Sequence, residues 1–292
     1  MRRREKHYLE DGMAETAKKK SNWRKRRLIL LGIPLTALML TGAIHLGHSV
    51  FVDDKVHYVT VPFYSTKVSE ELDGYTIAFV TDTHSFPGYR LREMTEQIQA
   101  RQPDLLLLGG DFPARDAAWR SMEILSAITP ADGIYGVEGN HDSYRTLFPA
   151  MRANGITPLD NTGVRLRDGL YLGGVQDLQN RRPDVRAAIA GAEDDDFILL
   201  LSHNPDVSMK EGSAGVDLFL SGHTHGGEVS LFGQWAPAVA LTSSYGLKFS
   251  GGWAENHLGI PVYVSNGIGS HLPIRVFAPR QVIFIELHHT EA

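Results

Sequence analysis

Five short polar motifs, each placed directly after a run of mainly apolar residues, constrain this chain most. The motifs are Asp82-Thr83-His84, Gly109-Gly110-Asp111, Gly139-Asn140-His141-Asp142, Ser202-His203-Asn204 and Gly222-His223-Thr224-His225. The apolar runs before them cover residues 77–80, 105–108, 134–137, 197–201 and 218–220. Such short runs are typical of buried strands, and side chains at the carboxyl ends of adjacent strands converge on one crevice. The sequence therefore predicts one polar site, built on an α/β sheet.

The pattern between the motifs predicts two sheets. Segments 91–102, 117–128 and 144–154 have helical periodicity and alternate with the early apolar runs, which indicates parallel βαβ units. After residue 226 the apolar pieces are short, at 229–232, 261–264 and 282–287, with Gly and Pro between them, as expected for antiparallel strands. We expect a two-sheet αββα sandwich in which helices cover the outer faces.

The N-terminal residues predict a membrane anchor. Residues 1–27 carry a net charge of +7, and the segment 28–44 that follows contains no charged residue. An apolar stretch of this length, extended to residue 51, can cross a bilayer. We expect a basic cytoplasmic segment (1–27), a signal-anchor helix (28–51) and a catalytic domain (52–292). The positive-inside rule puts that domain on the outer face of a bacterial cytoplasmic membrane. A cleaved signal peptide and a buried core helix are the alternatives.

Composition limits the chemistry. The 292 residues include no cysteine, so any metal ligands must come from His, Asp and Asn. Imidazole and carboxylate groups suit Mn, Fe, Zn, Ni or Co, and a carboxylate can bridge two ions. The chain outside the basic segment has a net charge of −12 by difference, which argues against nucleic acid as a partner.

The order of the motifs resembles that of the calcineurin-like metallophosphoesterases: D-x-H, G-D, G-N-H-D/E, a lone His and G-H-x-H. The resemblance covers roughly residues 70–287. It implies the sandwich fold of that family and two divalent ions, with Mn favoured. Asp82, His84 and His225 would hold one ion, whereas Asn140, His203 and His223 would hold the other. Asp111 would bridge them.

The resemblance also implies roles in catalysis. A hydroxide that bridges the metals would attack phosphorus, and His141 would protonate the leaving oxygen. Many members carry an Asp that orients this histidine, but position 114 is Ala, so Asp116 or Asp142 could replace it. Asp142 could also support its turn through backbone hydrogen bonds.

Two residues outside the motifs are candidates for substrate binding. Arg275 ends a glycine-rich segment, 265–275, that also contains His271. Arg275 could grip a phosphate or form a structural ion pair. Tyr245 follows the last motif, where substrate loops often lie, although aromatic packing is the alternative.

The chain is most similar to the membrane-associated bacterial phosphodiesterase branch of the family, which includes UDP-2,3-diacylglucosamine pyrophosphatases. This resemblance implies hydrolysis of a phosphodiester or pyrophosphate bond in a lipid-linked or cell-envelope substrate, beside a lipid bilayer. A pyrophosphatase acting on UDP-2,3-diacylglucosamine in lipid A synthesis and a protein phosphatase are the enzymatic alternatives. A metal-binding sensory module is the alternative from another functional class.

Overall fold

The computed structural model describes residues 2–113, 116–231, 235–271 and 274–291. It consists of two compact units, Met1–His48 and Ser49–Ala292. The first unit is a single helix, α1 (Arg2–His48), so the basic segment and most of the apolar run belong to one continuous element. The stretch Leu30–Asp53 is long and apolar enough to cross a membrane, with a mean hydropathy of 1.7. It overlaps the predicted anchor at 28–51.

The second unit has two 6-stranded sheets. Its strands are β1 (Val56–Ser65), β2 (Thr76–Val80), β3 (Leu105–Leu108), β4 (Ile134–Gly136), β5 (Thr157–Pro158), β6 (Thr162–Arg167), β7 (Leu170–Gly174), β8 (Phe197–Leu201), β9 (Leu218–Ser221), β10 (Gly252–Glu255), β11 (Pro261–Val264) and β12 (Arg280–His289). Its helices are α2 (Gly88–Gln99), α3 (Asp116–Leu125), α4 (Tyr144–Ala153), α5 (Val185–Ile189) and α6 (Val239–Thr242). The mixed α/β fold with two sheets is confirmed, and α2, α3 and α4 overlap the three predicted helical segments.

Each sheet contains a parallel centre. The first has the order β1-β12-β2-β3-β4-β5 and the second the order β10-β11-β9-β8-β7-β6. Strands β2 to β5 pair in parallel, as do β7, β8, β9 and β11. The carboxyl ends of neighbouring parallel strands therefore open on the same edge of each sheet.

The side chains of β2 show how the layers pack. Ala78 and Val80 belong to the apolar cluster that includes side chains of α2, α3 and α4. Ile77 and Phe79 belong to the cluster between the two sheets. A third cluster covers the other face of the second sheet with residues that include Val185 of α5. Because successive strand residues point to opposite faces, a continuous apolar run is required in each central strand.

The prediction of antiparallel strands after residue 226 was only partly right. Strands β10 and β11 are antiparallel, but β11 pairs in parallel with β9. Strand β12 is antiparallel to β2 and parallel to β1. In the predicted strand 229–232, Val229 and Leu231 form isolated bridges, and residue 232 lies outside the described residues. Pairing in this region joins strands that are distant in sequence, which local apolar pattern does not specify.

Candidate metal centre

The seven predicted ligands lie in loops after five strands, and both sheets contribute. Asp82 and His84 follow β2, Asp111 follows β3 and Asn140 follows β4, while His203 follows β8 and His223 and His225 follow β9. All seven residues are buried or half-buried. The parallel strands thus bring together residues separated by up to 143 positions in the sequence.

Five of the seven ligand positions have left-handed backbone conformations, which residues other than glycine seldom adopt. Their φ angles are 54° at Asp82, 39° at His84, 56° at Asp111, 70° at His223 and 55° at His225. Each such residue costs roughly 1–3 kcal/mol and persists only where the surrounding structure holds it. Hydrogen bonds between the loops do so here: Asp82 N donates to Gly110 O and His84 N donates to Asp111 O, both at 2.9 Å.

Glycines allow the loops to approach one another. A Cβ atom at Gly139 would collide with the carboxylate of Asp111, and one at Gly222 would collide with that of Asp82. Both glycines stand beside a predicted ligand in the sequence. Side chains at these positions would therefore push the carboxylates out of the site.

One group of donor atoms comes from Asp82, His84 and His225. His225 Nε2 lies 3.2 Å from Asp82 Oδ1 and 3.0 Å from His84 Nε2. Asp82 Oδ2 accepts a hydrogen bond of 2.8 Å from Thr81 Oγ1, which fixes the carboxylate. Two imidazole nitrogens and a carboxylate oxygen at this spacing suit a divalent transition metal.

A second group comes from His203 and its neighbours. His203 Nδ1 lies 2.8 Å from Gly109 O, and a ring nitrogen that meets a carbonyl oxygen carries the hydrogen. With Nδ1 protonated, neutral His203 presents a lone pair at Nε2. That nitrogen is 3.0 Å from Asn140 Oδ1 and 3.3 Å from Asp111 Oδ2. It therefore faces two oxygen acceptors.

His223 completes this second group. Its Nε2 lies 3.0 Å from Thr242 O, so Nε2 carries the hydrogen and the neutral ring has its lone pair at Nδ1. Nδ1 is 3.2 Å from His203 Nε2. Three of these side chains, Asp111, His203 and His223, have ligand atoms within 4.8 Å of one another. A convergence of acceptors without hydrogens is unfavourable unless a cation or a proton lies among them, and the donor set fits a metal ion.

Asp111 lies between the two groups. Its Oδ2 is 3.6 Å from His84 Nε2 and 3.3 Å from His203 Nε2. Its Oδ1 accepts a hydrogen bond of 2.8 Å from the backbone N–H of His141. One oxygen of Asp111 thus faces both groups, while the other holds the backbone N–H of His141.

The electrostatics favour ionised aspartates. Although burial opposes their charge, the neighbouring histidines hold the pKa of Asp82 far below its usual value, and they lower the pKa of Asp111 to about 2. Burial lowers the pKa of His84 and of His223 to about 4. Both imidazoles are therefore neutral at pH 7, which is the form that binds metals.

His203 behaves differently because it is the histidine nearest to Asp111. Burial disfavours its charged form, but the charge of Asp111 and the hydrogen bond to it raise the pKa of His203 to about 10. A proton at Nε2 lies among the same acceptor atoms that would surround a bound cation. Metal binding at this position would therefore release a proton.

Asp142 supports the loops through the backbone. Its Oδ2 accepts hydrogen bonds from Asp111 N at 2.7 Å and Gly139 N at 2.8 Å, and its Oδ1 accepts one from Phe112 N at 2.9 Å. Burial and the charge of Asp111 raise the pKa of Asp142 to about 7, although the bonds from Gly139 and Phe112 favour the ionised form. These contacts favour the turn-supporting interpretation. Ala114 lies outside the described residues, as does the side chain of Asp116.

A cavity of about 390 Å³ opens over the donor groups. His141 is exposed and lines this cavity together with Asp111 and Asn140. On another side the wall is formed by Ala238 and Leu241. A substrate in this cavity would meet the donor atoms at one side and apolar surface at another.

The two predicted substrate residues lie outside the cavity wall, although Arg275 Nη2 lies 3.2 Å from His225 Nδ1. Arg275 is 2% exposed: its Nε donates to Ser270 Oγ at 2.9 Å and its Nη1 to Ala278 O at 3.1 Å. Tyr245 is 43% exposed and its ring meets Phe249 edge-on at a centroid distance of 6.0 Å. Among the described residues, neither is part of the cavity lining.

Two residues that the motifs did not include reach the site. His271 lines the cavity, and its ring centroid lies 4.4 Å from that of His84. Glu228 is 5% exposed, and its Oε1 is 3.4 Å from His225 Nδ1. The glycine-rich context of His271 was a weak signal for it, whereas the sequence offers no signal for Glu228.

Known proteins share this arrangement of motifs. The model of the calcineurin-like phosphoesterase family matches residues 75–227. The uncharacterized metallophosphoesterase YkuE of Bacillus subtilis is 27% identical over 91% of this chain and 98% of its own length. An uncharacterized metallophosphoesterase of Helicobacter pylori is 30% identical over 77% of this chain, which spans 62% of that relative.

A relative from Danio rerio, named as a transmembrane protein with a metallophosphoesterase domain, is 27% identical over 86% of this chain and 62% of its own length. The narrower resemblance to UDP-2,3-diacylglucosamine pyrophosphatases stays a prediction. The family match covers more than half of the chain and includes all five motifs. The chain belongs to the calcineurin-like phosphoesterase family and is a metal-dependent phosphoester hydrolase.

Proposed function

We propose that the chain hydrolyses a phosphodiester or pyrophosphate bond of an amphiphilic substrate with two divalent metal ions. The observation that carries this proposal is that acceptor atoms from the loops of both sheets converge and form two adjoining groups. Asp111 Oδ2 lies within 3.6 Å of a histidine nitrogen of each group. A single carboxylate shared by two donor groups is the arrangement that a pair of ions requires.

The residues would divide into two metal sites and a shared ligand. Asp82, His84 and His225 would hold one ion, and Asn140, His203 and His223 the other. Asp111 would bridge them. When bound, two ions such as Mn²⁺ would supply an activated water and neutralise the phosphoryl oxygens. The neutral imidazoles of His84 and His223 and the ionised carboxylates of Asp82 and Asp111 support this assignment.

His141 is proposed as the general acid. It follows Asn140 directly, its backbone N–H is held by Asp111 Oδ1 at 2.8 Å, and its side chain is exposed at the cavity. An imidazole held there could donate a proton to the departing oxygen. Asp142 would act indirectly, because its carboxylate fixes the backbone of the loop that carries His141.

The cavity wall supports a substrate with an apolar portion. Leu241 is 89% exposed, although it lines the same cavity as the donor groups. Ala238 lines the cavity beside it. Apolar side chains at the mouth of a polar site gain free energy when a ligand covers them, at about 25 cal/mol per Å². A phosphate ester with an alkyl or acyl group would cover them.

The substrate proposal can be tested with the full-length protein in detergent micelles. Bis-p-nitrophenyl phosphate, p-nitrophenyl phosphate and a phosphopeptide would be compared, followed by p-nitrophenyl alkyl phosphates of increasing chain length. We expect Mn²⁺-dependent cleavage of the diesters, with KM falling as the alkyl chain grows. Equal KM values along the series would contradict the proposal that the substrate has an apolar portion. Preferred cleavage of the phosphopeptide would indicate a protein phosphatase instead.

We also propose that the catalytic unit lies outside the cytoplasmic membrane. The charge of +7 before the apolar stretch and Asp53 and Asp54 after it support this orientation. Protease added to intact spheroplasts should digest the catalytic unit and leave an N-terminal fragment. Full protection behind a sealed membrane would reverse the orientation, and a substrate of the inner leaflet such as UDP-2,3-diacylglucosamine would then be favoured.

A further inference from the structure

His271 stands among the histidines of the candidate metal centre, although it belongs to none of the five motifs. Its ring centroid is 4.4 Å from that of His84, 5.1 Å from His225 and 5.0 Å from His141. It is exposed, and it lines the cavity together with His141 and His225. Four imidazoles from four different loops therefore meet at one place.

Two charged residues, Glu228 and Arg275, hold the backbone at and just before His271. Glu228 Oε1 accepts a hydrogen bond of 2.6 Å from His271 N and also lies 3.4 Å from His225 Nδ1. Arg275 donates to Ser270 Oγ at 2.9 Å and to Gly269 O. The loop before His271 is thus held by Arg275, and Glu228 links His271 to the predicted metal ligand His225.

The geometry fits coordination better than packing. One ligand nitrogen from each of His84, His225 and His271 lies within 4.8 Å of the other two. Packing would bury the ring of His271 against apolar side chains, whereas this ring faces imidazoles at the open side of the site. Neutral imidazole is a good ligand for the metals that the centre suits.

We propose that His271 is an additional nitrogen ligand of the ion held by Asp82, His84 and His225. This inference rests on the proposed two-metal function. It assigns to the late loop a role in the metal centre itself, beyond the seven ligands that the motifs provide. Glu228 is then a positioning residue, because it holds the backbone of His271 and borders the ring of His225.

The test compares full-length wild type with His271→Ala, His271→Gln and the control His257→Ala. His257 is exposed in the turn between β10 and β11. Because β11 is parallel to β9, that turn lies at the edge of the sheet opposite the metal-binding loops. Mn²⁺ dissociation constants would be measured by calorimetry, and the visible absorption of the Co²⁺-loaded protein would report the number of nitrogen ligands.

We expect both His271 variants to bind one of two ions about 10- to 100-fold more weakly and to change the Co²⁺ spectrum, while His257→Ala matches wild type. Wild-type affinities and an unchanged Co²⁺ spectrum in both His271 variants would overturn the inference but leave the two-metal proposal intact. Failure of the wild type to bind metal would instead reject the proposed function. Circular dichroism of each variant would verify that it is folded.

Discussion

The loops that follow the parallel strands and the late segment, residues 226–279, both line the same cavity but are built in different ways. The strand loops are short, and five of their ligand positions have left-handed backbones that are fixed by hydrogen bonds between loops. The late segment consists of short elements such as α6 and carries exposed apolar side chains such as Leu241. The strand loops supply the seven predicted ligands, while α6 in the late segment supplies apolar surface to the cavity.

The largest effect is expected at the residue shared by the two donor groups. Asp111→Asn removes the charge that lies within 3.6 Å of His84 and 3.3 Å of His203. We expect both ions to be lost in large part and kcat to fall by more than about 10⁴-fold, beyond the range for a lost general acid. Elemental analysis and steady-state kinetics would measure the two quantities. An Asp111→Asn protein with full metal content would break the assignment of the bridge.

His141→Ala should separate rate from metal content. The imidazole lines the cavity, and Asp111 Oδ1 accepts a hydrogen bond from the backbone N–H of His141 rather than from its ring. We expect kcat to fall by about 10²- to 10⁴-fold while both ions stay bound. Loss of metal in step with rate would mean that His141 is a ligand, and the division of roles within the strand loops would need revision.

The smallest effect is expected in the late segment. Leu241→Asp places a charge on the apolar wall without touching a predicted ligand. We expect KM for a long-chain alkyl phosphodiester to rise about 10-fold, with kcat for bis-p-nitrophenyl phosphate unchanged. The matched control is Leu258→Asp, since Leu258 is also exposed, at 52%, but lies in the turn between β10 and β11. Equal KM values for the two variants would show that the apolar wall at Leu241 does not contribute to substrate binding.

The sequence predicted the strand-borne side of the site because two independent patterns agree there. An apolar run predicts the buried strand, and the polar motif after it provides the candidate ligands, as at Leu105–Leu108 and Asp111. Strand order matters little to this inference, since the ends of all parallel strands open on the same edge. The structure accordingly brings all seven predicted ligands together.

The late segment could not be predicted in the same way. The sequence makes Arg275 a candidate phosphate-binding residue, but its guanidinium donates to Ser270 Oγ and Ala278 O inside the protein and lies 3.2 Å from His225 Nδ1. Glu228 Oε1 lies 3.4 Å from His225 Nδ1, and its backbone has a positive φ of 54°. Contacts of this kind depend on loop conformation and long-range packing, which no local periodicity records.

The central claim is that the chain binds two metal ions on which its activity depends. The most direct measurement is a titration of metal-stripped, full-length protein with Mn²⁺, in which bound ions per chain and the rate of bis-p-nitrophenyl phosphate hydrolysis are followed together. The account predicts no turnover after chelation, two ions bound per chain at saturation and recovery of activity as the second ion binds. Full activity in protein shown by elemental analysis to be free of metal, or saturation at one ion per chain, would contradict it.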